Sequence, residues 1–503
     1  MKTRSPLASA RKIFFCSAWL AILSLCALVA TVQSQEGSVP PPSKVERKNR
    51  APVSHEILRV RLPKPVEAKL KNGLTVLVLE DHRAPFISLQ LYVGGAGALF
   101  EPANMTGLAS TAAHMLREGT KSRSSVQIAE EIDRLGATLG AAASFGSPDA
   151  VLSASGLSEN FDAWLAVIAD VLLNPDFPSD ELEKLKQRQR AQLRQQRSAA
   201  NFLLSERFNR AVYGDHPAAR VSMTQESIDA ISRDALVQWH RERYAPQNAV
   251  LGVAGDVRAQ ELMAKLEKQL AGWKKTAAIQ RWPRDPAAAT ARRVLLVDRP
   301  NSVQTTLALG NIAIARRSPD YFPMVVMNDV IGGGASARLF LNLREEKGYT
   351  YGVYSDFSAG RYPGPWRAGG NMRTEVTAAA LKEFFNEIRR IRDQKVPAEE
   401  LEESKRSIAA SFALSLEQPT RALNFAITTK LYGLPSDYWD TYVNRIMGVT
   451  ADDVQRVARK YLNPDTLQIV AVGDASKIKP VLEQYGRVEV YDSNGAPVAG
   501  LKP

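Results

Sequence analysis

The sequence predicts an α+β fold built from two homologous domains, each a mainly antiparallel sheet with helices. Three observations carry that reading. The chain has 503 residues, enough for two to four domains with sizeable cores. It repeats itself once, with a nearly constant spacing between matching markers. Each half carries strand-like segments at its start and near its end with helical patterns between, an order that suits an α+β arrangement.

The repeat rests on several markers in one order. Tyr213-Gly214 recurs as Tyr432-Gly433, and Pro178-x-x-Glu181-Leu-Glu-x-x-Lys186 recurs as Pro397-x-x-Glu400-Leu-Glu-x-x-Lys405. Val237-Gln238 to Tyr244, then Pro246 and Gly255-Asp256, recurs as Val454-Gln455 to Tyr461, then Pro464 and Gly473-Asp474. A unit of this length is a whole domain and not a solenoid repeat. The join falls near Lys274 to Arg292, where Trp282-Pro-Arg-Asp-Pro286 and an Ala run break the pattern.

Taken in order, the chain begins with an export signal. Lys2, Arg4, Arg11 and Lys12 precede an almost wholly apolar run, Ile13 to Val32, and cleavage after Ser34 is expected. The competing reading is an uncleaved anchor, which would leave a weak membrane association. Both cysteines, Cys16 and Cys26, lie in this segment, so the mature chain has neither a disulfide nor a thiol nucleophile. Residues 35–56, with Pro40-Pro41-Pro42, read as a flexible linker. Residues 57–275 form the N-terminal domain, 276–291 the interdomain linker, 292–490 the C-terminal domain and 491–503 a tail. Asn72-Gly73 marks a tight turn before a strand at Leu74 to Leu79, and Ile87 to Val93 alternates with period two. Val126 to Leu135 is a helix stopped by Gly136.

Formal net charge is +12, four units of it in the signal, and the remaining basic residues are scattered along helical segments. That pattern, in an exported chain, argues against nucleic-acid binding.

The chemistry centres on Gly107-Leu-Ala-Ser-Thr-Ala-Ala-His-Met-Leu-Arg-Glu-Gly-Thr120. A zinc-binding helix needs two ligands one turn apart on one face, and a base beside the metal. The inverted motif His-x-x-Glu-His supplies all three. Here the slots read Ser110-Thr-Ala-Ala113-His114, so the first ligand and the base are gone and His114 is the remnant of a lost site. Ser110 and His114 share a face but show no orienting acid for a nucleophilic pair. His55, His82, His216 and His240 form no His-x-x-x-His pair, and His216 and His240 read as structural. Gly332-Gly333-Gly334 lacks the Gly-Lys-Ser/Thr of a phosphate loop and reads as a site of close backbone approach, to other backbone or to a peptide.

The frame of that segment resembles the pitrilysin/insulinase-type metallopeptidases. The resemblance spans about residues 57–490 and implies two α+β domains arranged as a half-clamshell. The family's third zinc ligand, a Glu, matches the region of Ala191 and Gln192, which supplies no acid. Leu343-Arg344-Glu-Glu-Lys-Gly-Tyr-Thr-Tyr351 resembles the family's second-domain segment, in which an Arg and a Tyr face the zinc site. The matched positions are Arg344 and Tyr351, with Tyr349 the alternative; a structural reading would pair Arg344 with a nearby Glu and bury Tyr351. The Gly332–Gly334 loop would border the chamber and bind substrate. Some family members divide these parts between two chains, and this one fits the zinc-less type. The resemblance therefore implies a periplasmic subunit, or one membrane-anchored there if its signal is retained. It would be inactive alone and hold no cofactor of its own. It would assist peptide hydrolysis by a homologous partner that bears the zinc. The alternatives are a structural scaffold subunit and a peptide-binding homodimer without catalysis.

Overall fold

The computed structural model of the protein describes residue 60, residues 62–277 and residues 282–498. The segment expected to be an export signal, the Pro-rich lead and His55 lie outside the described residues. Among the described residues no helix is long and apolar enough to cross a membrane.

Two six-stranded sheets organise the chain. The first contains β1 (Val66–Lys69), β2 (Thr75–Glu80), β3 (Phe86–Gly94), β4 (Thr138–Ala142), β5 (Asp149–Leu157) and β6 (Ala249–Gly255), in the order β1-β2-β6-β3-β5-β4. The second contains β7 (Val294–Asp298), β8 (Gln304–Ile314), β9 (Thr350–Ala359), β10 (Pro363–Arg373), β11 (Gln468–Gly473) and β12 (Val488–Tyr491), in the order β12-β7-β11-β8-β10-β9. Setting aside the outer strands β1 and β12, the two orders superimpose term by term. β7 starts at Val294 as the counterpart of β2 at Thr75, and β11 starts at Gln468 as the counterpart of β6 at Ala249, with the same spacing both times. The repeat seen in the sequence is thus a repeat of topology.

Local chemistry explains the elements. Gly73 has φ +94°, which lets the chain turn from β1 into its antiparallel partner β2. β3 alternates buried and half-exposed residues and pairs antiparallel on both sides, with β5 and β6. The helix Ser125–Arg134 starts on a capping box made by Ser124 and Gln127 and stops at Gly136, whose φ is +60°. The sheets are mainly antiparallel, with parallel pairings confined to β2–β6, β7–β11 and β7–β12.

Each sheet packs one face on its own domain's helices. The opposite face is covered by a helix from the other domain. Leu203, Leu204 and Phe208 of the helix Ala200–Tyr213 lie on Leu295, Ala308 and Val470 of the second sheet. Reciprocally, Leu423 and Ile427 of the helix Pro419–Tyr432 lie on Leu77, Leu79 and Ala254 of the first. Gly252 makes room for this exchange, since a Cβ there would meet the Ile427 Cδ1 at 2.5 Å. The two crossing helices end on Gly214 and Gly433, the second half of the repeated Tyr-Gly marker, with φ +56° and +60°. Central strands of each sheet are therefore buried on two faces, which is why β11 reads as an unbroken apolar run.

Candidate functional site

The helix Leu108–Met115 carries the degenerate motif, and its start is fixed by an acid. Glu101 accepts hydrogen bonds from the backbone N–H groups of Gly107 and Ala109, both at 2.8 Å. These are orphan donors of a helix N-terminus, where a carboxylate is favoured. Burial nevertheless dominates and pushes the Glu101 carboxyl up to about 7. Ala113, in the slot of the base, is buried against the core. His114 is half-exposed and bonded to Glu118 one turn on, Nε2 to Oε1 at 3.3 Å. That bond is the main cause holding the Glu118 carboxyl down at about 2, and the Ser125 hydroxyl adds a second donor at 2.8 Å. Glu118 is an orienting acid that the sequence reading missed, although it stands in plain i+4 spacing from His114. Among the described residues the Ser110 hydroxyl makes no hydrogen bond to the His114 ring, so the pair lacks the contact a nucleophile needs.

The third-ligand slot also needs revision in detail. Ala191 and Gln192 are exposed on the long helix Ser179–Arg197. The residue that reaches the motif helix is Gln189, whose Nε2 donates to the Thr111 hydroxyl at 3.1 Å. Counting along the sequence misplaces the contact because helical phase, and not residue number, decides which side chain points inward. Gln189 Oε1 is buried without a partner. One imidazole and one amide do not make a zinc site, which takes three protein ligands when catalytic and four when structural. Among the described residues no three His, Cys, Asp or Glu side chains cluster closely enough to hold a metal. The residues present therefore do not fit the family's zinc.

The second element is the single π-helical turn Leu341–Glu346, which leads into edge strand β9. Gly348, with φ +63°, reverses the chain, and the N–H of Tyr349 returns to the Leu343 carbonyl at 2.8 Å. This places Arg344 in the turn and Tyr351 at the start of the outermost strand. Arg344 stacks over the Phe340 ring at 4.6 Å and approaches Glu345 at 3.6 Å across an exposed surface. Tyr351 is 91% exposed, whereas Tyr349 packs against the core of the second domain. The two tyrosines are thus separated: Tyr351 is the one free to meet another molecule, and the reading that buried it fails. Gly332 ends the helix Tyr321–Gly332, and a Cβ there would meet the Ser355 N and Oγ at 2.5 Å. Gly333 is crowded by Asp329, and Gly334 faces open space. Close packing accounts for the first two glycines.

The other histidines have structural partners. His240 is half-buried, contacts the Leu172 carbonyl at 2.8 Å and has its pKa lowered by desolvation. His216 Nδ1 accepts from the N–H of Ala218 at 3.1 Å, and His82 bonds Asp256 at 2.7 Å. A cleft of about 1090 Å³ lies beside the interdomain connection, lined by Glu101, His216, Arg243 and Trp282 among others, and neither Arg344 nor Tyr351 borders it.

Residues 75–225 match the model of the insulinase family of M16 peptidases, and residues 230–408 match that of the peptidase M16 inactive domain. The chain belongs to the insulinase-type M16 family. Its fold is close to a crystal structure of a peptidase M16 inactive domain from Pseudomonas fluorescens, with TM-score 0.76, 28% identity, and coverage of 82% of this chain and 98% of that one. An uncharacterized zinc protease of Rickettsia bellii is 27% identical over 80% of this chain and 96% of its own length. A Helicobacter pylori relative named a non-peptidase homolog is 24% identical over 80% of this chain and 93% of its own. In this M16 chain the motif helix keeps one imidazole, His114, with Ser110 and Ala113 in the other two slots.

Proposed function

We propose that this chain is the zinc-less subunit of an exported two-chain M16-type peptidase, inactive alone and working beside a homologous, zinc-bearing partner. The observation that carries the reading is the split between its two halves. The motif helix has one imidazole, already bonded to Glu118, where three ligands are needed. Tyr351, by contrast, stands 91% exposed next to the Arg344 turn. A tyrosine this exposed at a sheet edge has both its ring and its phenol available to another molecule.

Within such a complex this chain's residues would act on an extended peptide. The outer edge of β9 offers unpaired backbone groups for strand addition. The Arg344 guanidinium donates to a substrate carbonyl and holds the chain in register. The Tyr351 phenol donates to the oxygen that gains negative charge when that carbonyl is attacked. Gly334, with open space around it, is the member of the glycine loop left to border a bound peptide. The basic n-region and apolar run at the N-terminus support delivery to the periplasm.

The reading is tested by isolating the native assembly from its source under mild conditions and weighing it by sedimentation. A stoichiometric complex with a homologue that carries intact zinc ligands is expected. A stable monomer with no homologous partner contradicts it, and a stoichiometric place in a larger non-proteolytic assembly would favour a scaffold instead.

A further inference from the structure

A cleft of about 470 Å³ lies in the second domain, away from the Arg344 turn and from the motif helix. Three segments build it: the loop after β8, the turn at Gly433 that ends a crossing helix, and the short helix Tyr442–Met447. Three arginines line it, Arg316, Arg317 and Arg445, and no acidic side chain does. Among the described residues none of the three has a carboxylate within ion-pair distance. The acid closest in the chain, Asp320, is buried and already occupied by Arg456, Lys460 and Tyr461 at 2.5, 2.8 and 2.7 Å. Asp437 and Asp440, on the neighbouring segment, do not line the cleft.

Donors around the cleft are also left without acceptors. Arg316 Nε is buried and unpartnered, although the same guanidinium donates to the Tyr321 hydroxyl. Tyr438 is 3% exposed and lines the cleft, and its buried hydroxyl, which lies beside the Arg316 guanidinium, has no acceptor for its own O–H. Burial pushes that phenol up to about 12, so it stays protonated and remains a donor. Ser318 Oγ accepts from the N–H of Asp320 at 3.2 Å, which leaves its own O–H to donate. Buried polar groups in folded proteins are nearly always satisfied, and unpaired like charges brought together cost energy. Both anomalies disappear if one anion sits among these donors.

The geometry also narrows the anion. Arg316 lies over the rings of Tyr321 and Trp439 at 4.1 and 4.9 Å, and Arg445 over Phe322 and Tyr438 at 5.4 and 5.6 Å. These stackings pre-orient the guanidiniums of Arg316 and Arg445. Three positive charges exceed what one carboxylate balances, whereas guanidinium forks match the oxygens of a dianionic phosphate. We infer that the Arg316–Arg317–Arg445 cleft is a binding site for a phosphate group, either free phosphate or a phosphomonoester.

The test is calorimetric titration of the full chain with inorganic phosphate at fixed ionic strength, with acetate as control and glycerol phosphate as a second arm. One saturable phosphate site is expected, absent for acetate. Arg317 and Arg445 are exposed, so Arg317→Gln and Arg445→Gln should melt like the parent while each weakens phosphate binding about tenfold or more. Tighter binding of glycerol phosphate would assign the site to a phosphorylated molecule, and equal or weaker binding to free phosphate. No saturable phosphate binding, or unchanged affinity in both variants, would overturn the proposal.

Discussion

His114 and Glu118 pair one turn apart, and Glu118 also accepts from the Ser125 hydroxyl, which ties the end of the motif helix to the start of the next. The consequence is a definite pH dependence. The Glu118 carboxyl sits near 2 in the folded chain against an ordinary 4.5, so the folded state favours the carboxylate. Its stabilisation is full above about pH 4.5 and is lost as pH falls toward 2. Glu118→Gln should cost about 1–2 kcal/mol at pH 7 and flatten the acid limb of the stability curve, read by urea titration at several pH values. An unchanged acid limb would show that the contact contributes nothing. Of these residues the sequence made Ser110, Ala113 and His114 legible, because a motif slot is a matter of spacing. It hid Gln189, because the contact depends on the phase of a helix far along the chain. It also hid the separation of Tyr349 from Tyr351, which would share a face in a regular strand but are divided because β9 begins only after the turn at Gly348.

The turn Leu341–Glu346 and β9 are positioned by packing behind them. Gly332 lets the end of the helix Tyr321–Gly332 touch Ser355 in the middle of β9, and Asn328 on that helix bonds Ser355 Oγ at 2.8 Å and accepts from the Trp366 indole at 3.0 Å. Gly332→Ala should therefore push β9 outward and destabilise the chain by about 1–3 kcal/mol, with a lower thermal midpoint. Gly334→Ala meets nothing within 4 Å and should leave the midpoint unchanged. Equal effects of the two changes would show that the loop is not sorted by packing. The period-two run of β3, the turn at Gly73 and the stop at Gly136 were readable because each is set by residues next to one another. The parallel pairings of β2 with β6 and of β7 with β11 were not, since in each case nearly the whole domain separates the two strands along the chain.

The exchange of helices between domains is the largest feature that escaped the sequence. The repeated Tyr-Gly marker was visible, but nothing in one chain's pattern says that the helix before it will lie on the other domain's sheet. Physically the exchange makes the two cores one folding unit. Leu423→Ala, on a residue fully buried against the first sheet, should cost about 2–5 kcal/mol although the residue is encoded in the second domain. Phe208→Ala should cost about 3–5 kcal/mol on the reciprocal side. Calorimetry should show one cooperative transition that moves down in both variants. Two separate transitions, only one of them shifted, would refute the coupling. The most direct measurement is peptide turnover by the purified chain alone, by its complex with a zinc-bearing homologue, and by that complex carrying Tyr351→Phe or Arg344→Ala. The account predicts no turnover alone and turnover in the complex. It predicts a loss of about 10²–10³ in rate for Tyr351→Phe and a raised KM for Arg344→Ala, both with unchanged thermal midpoints. Turnover by the chain alone, or undiminished turnover in both variant complexes, would contradict it.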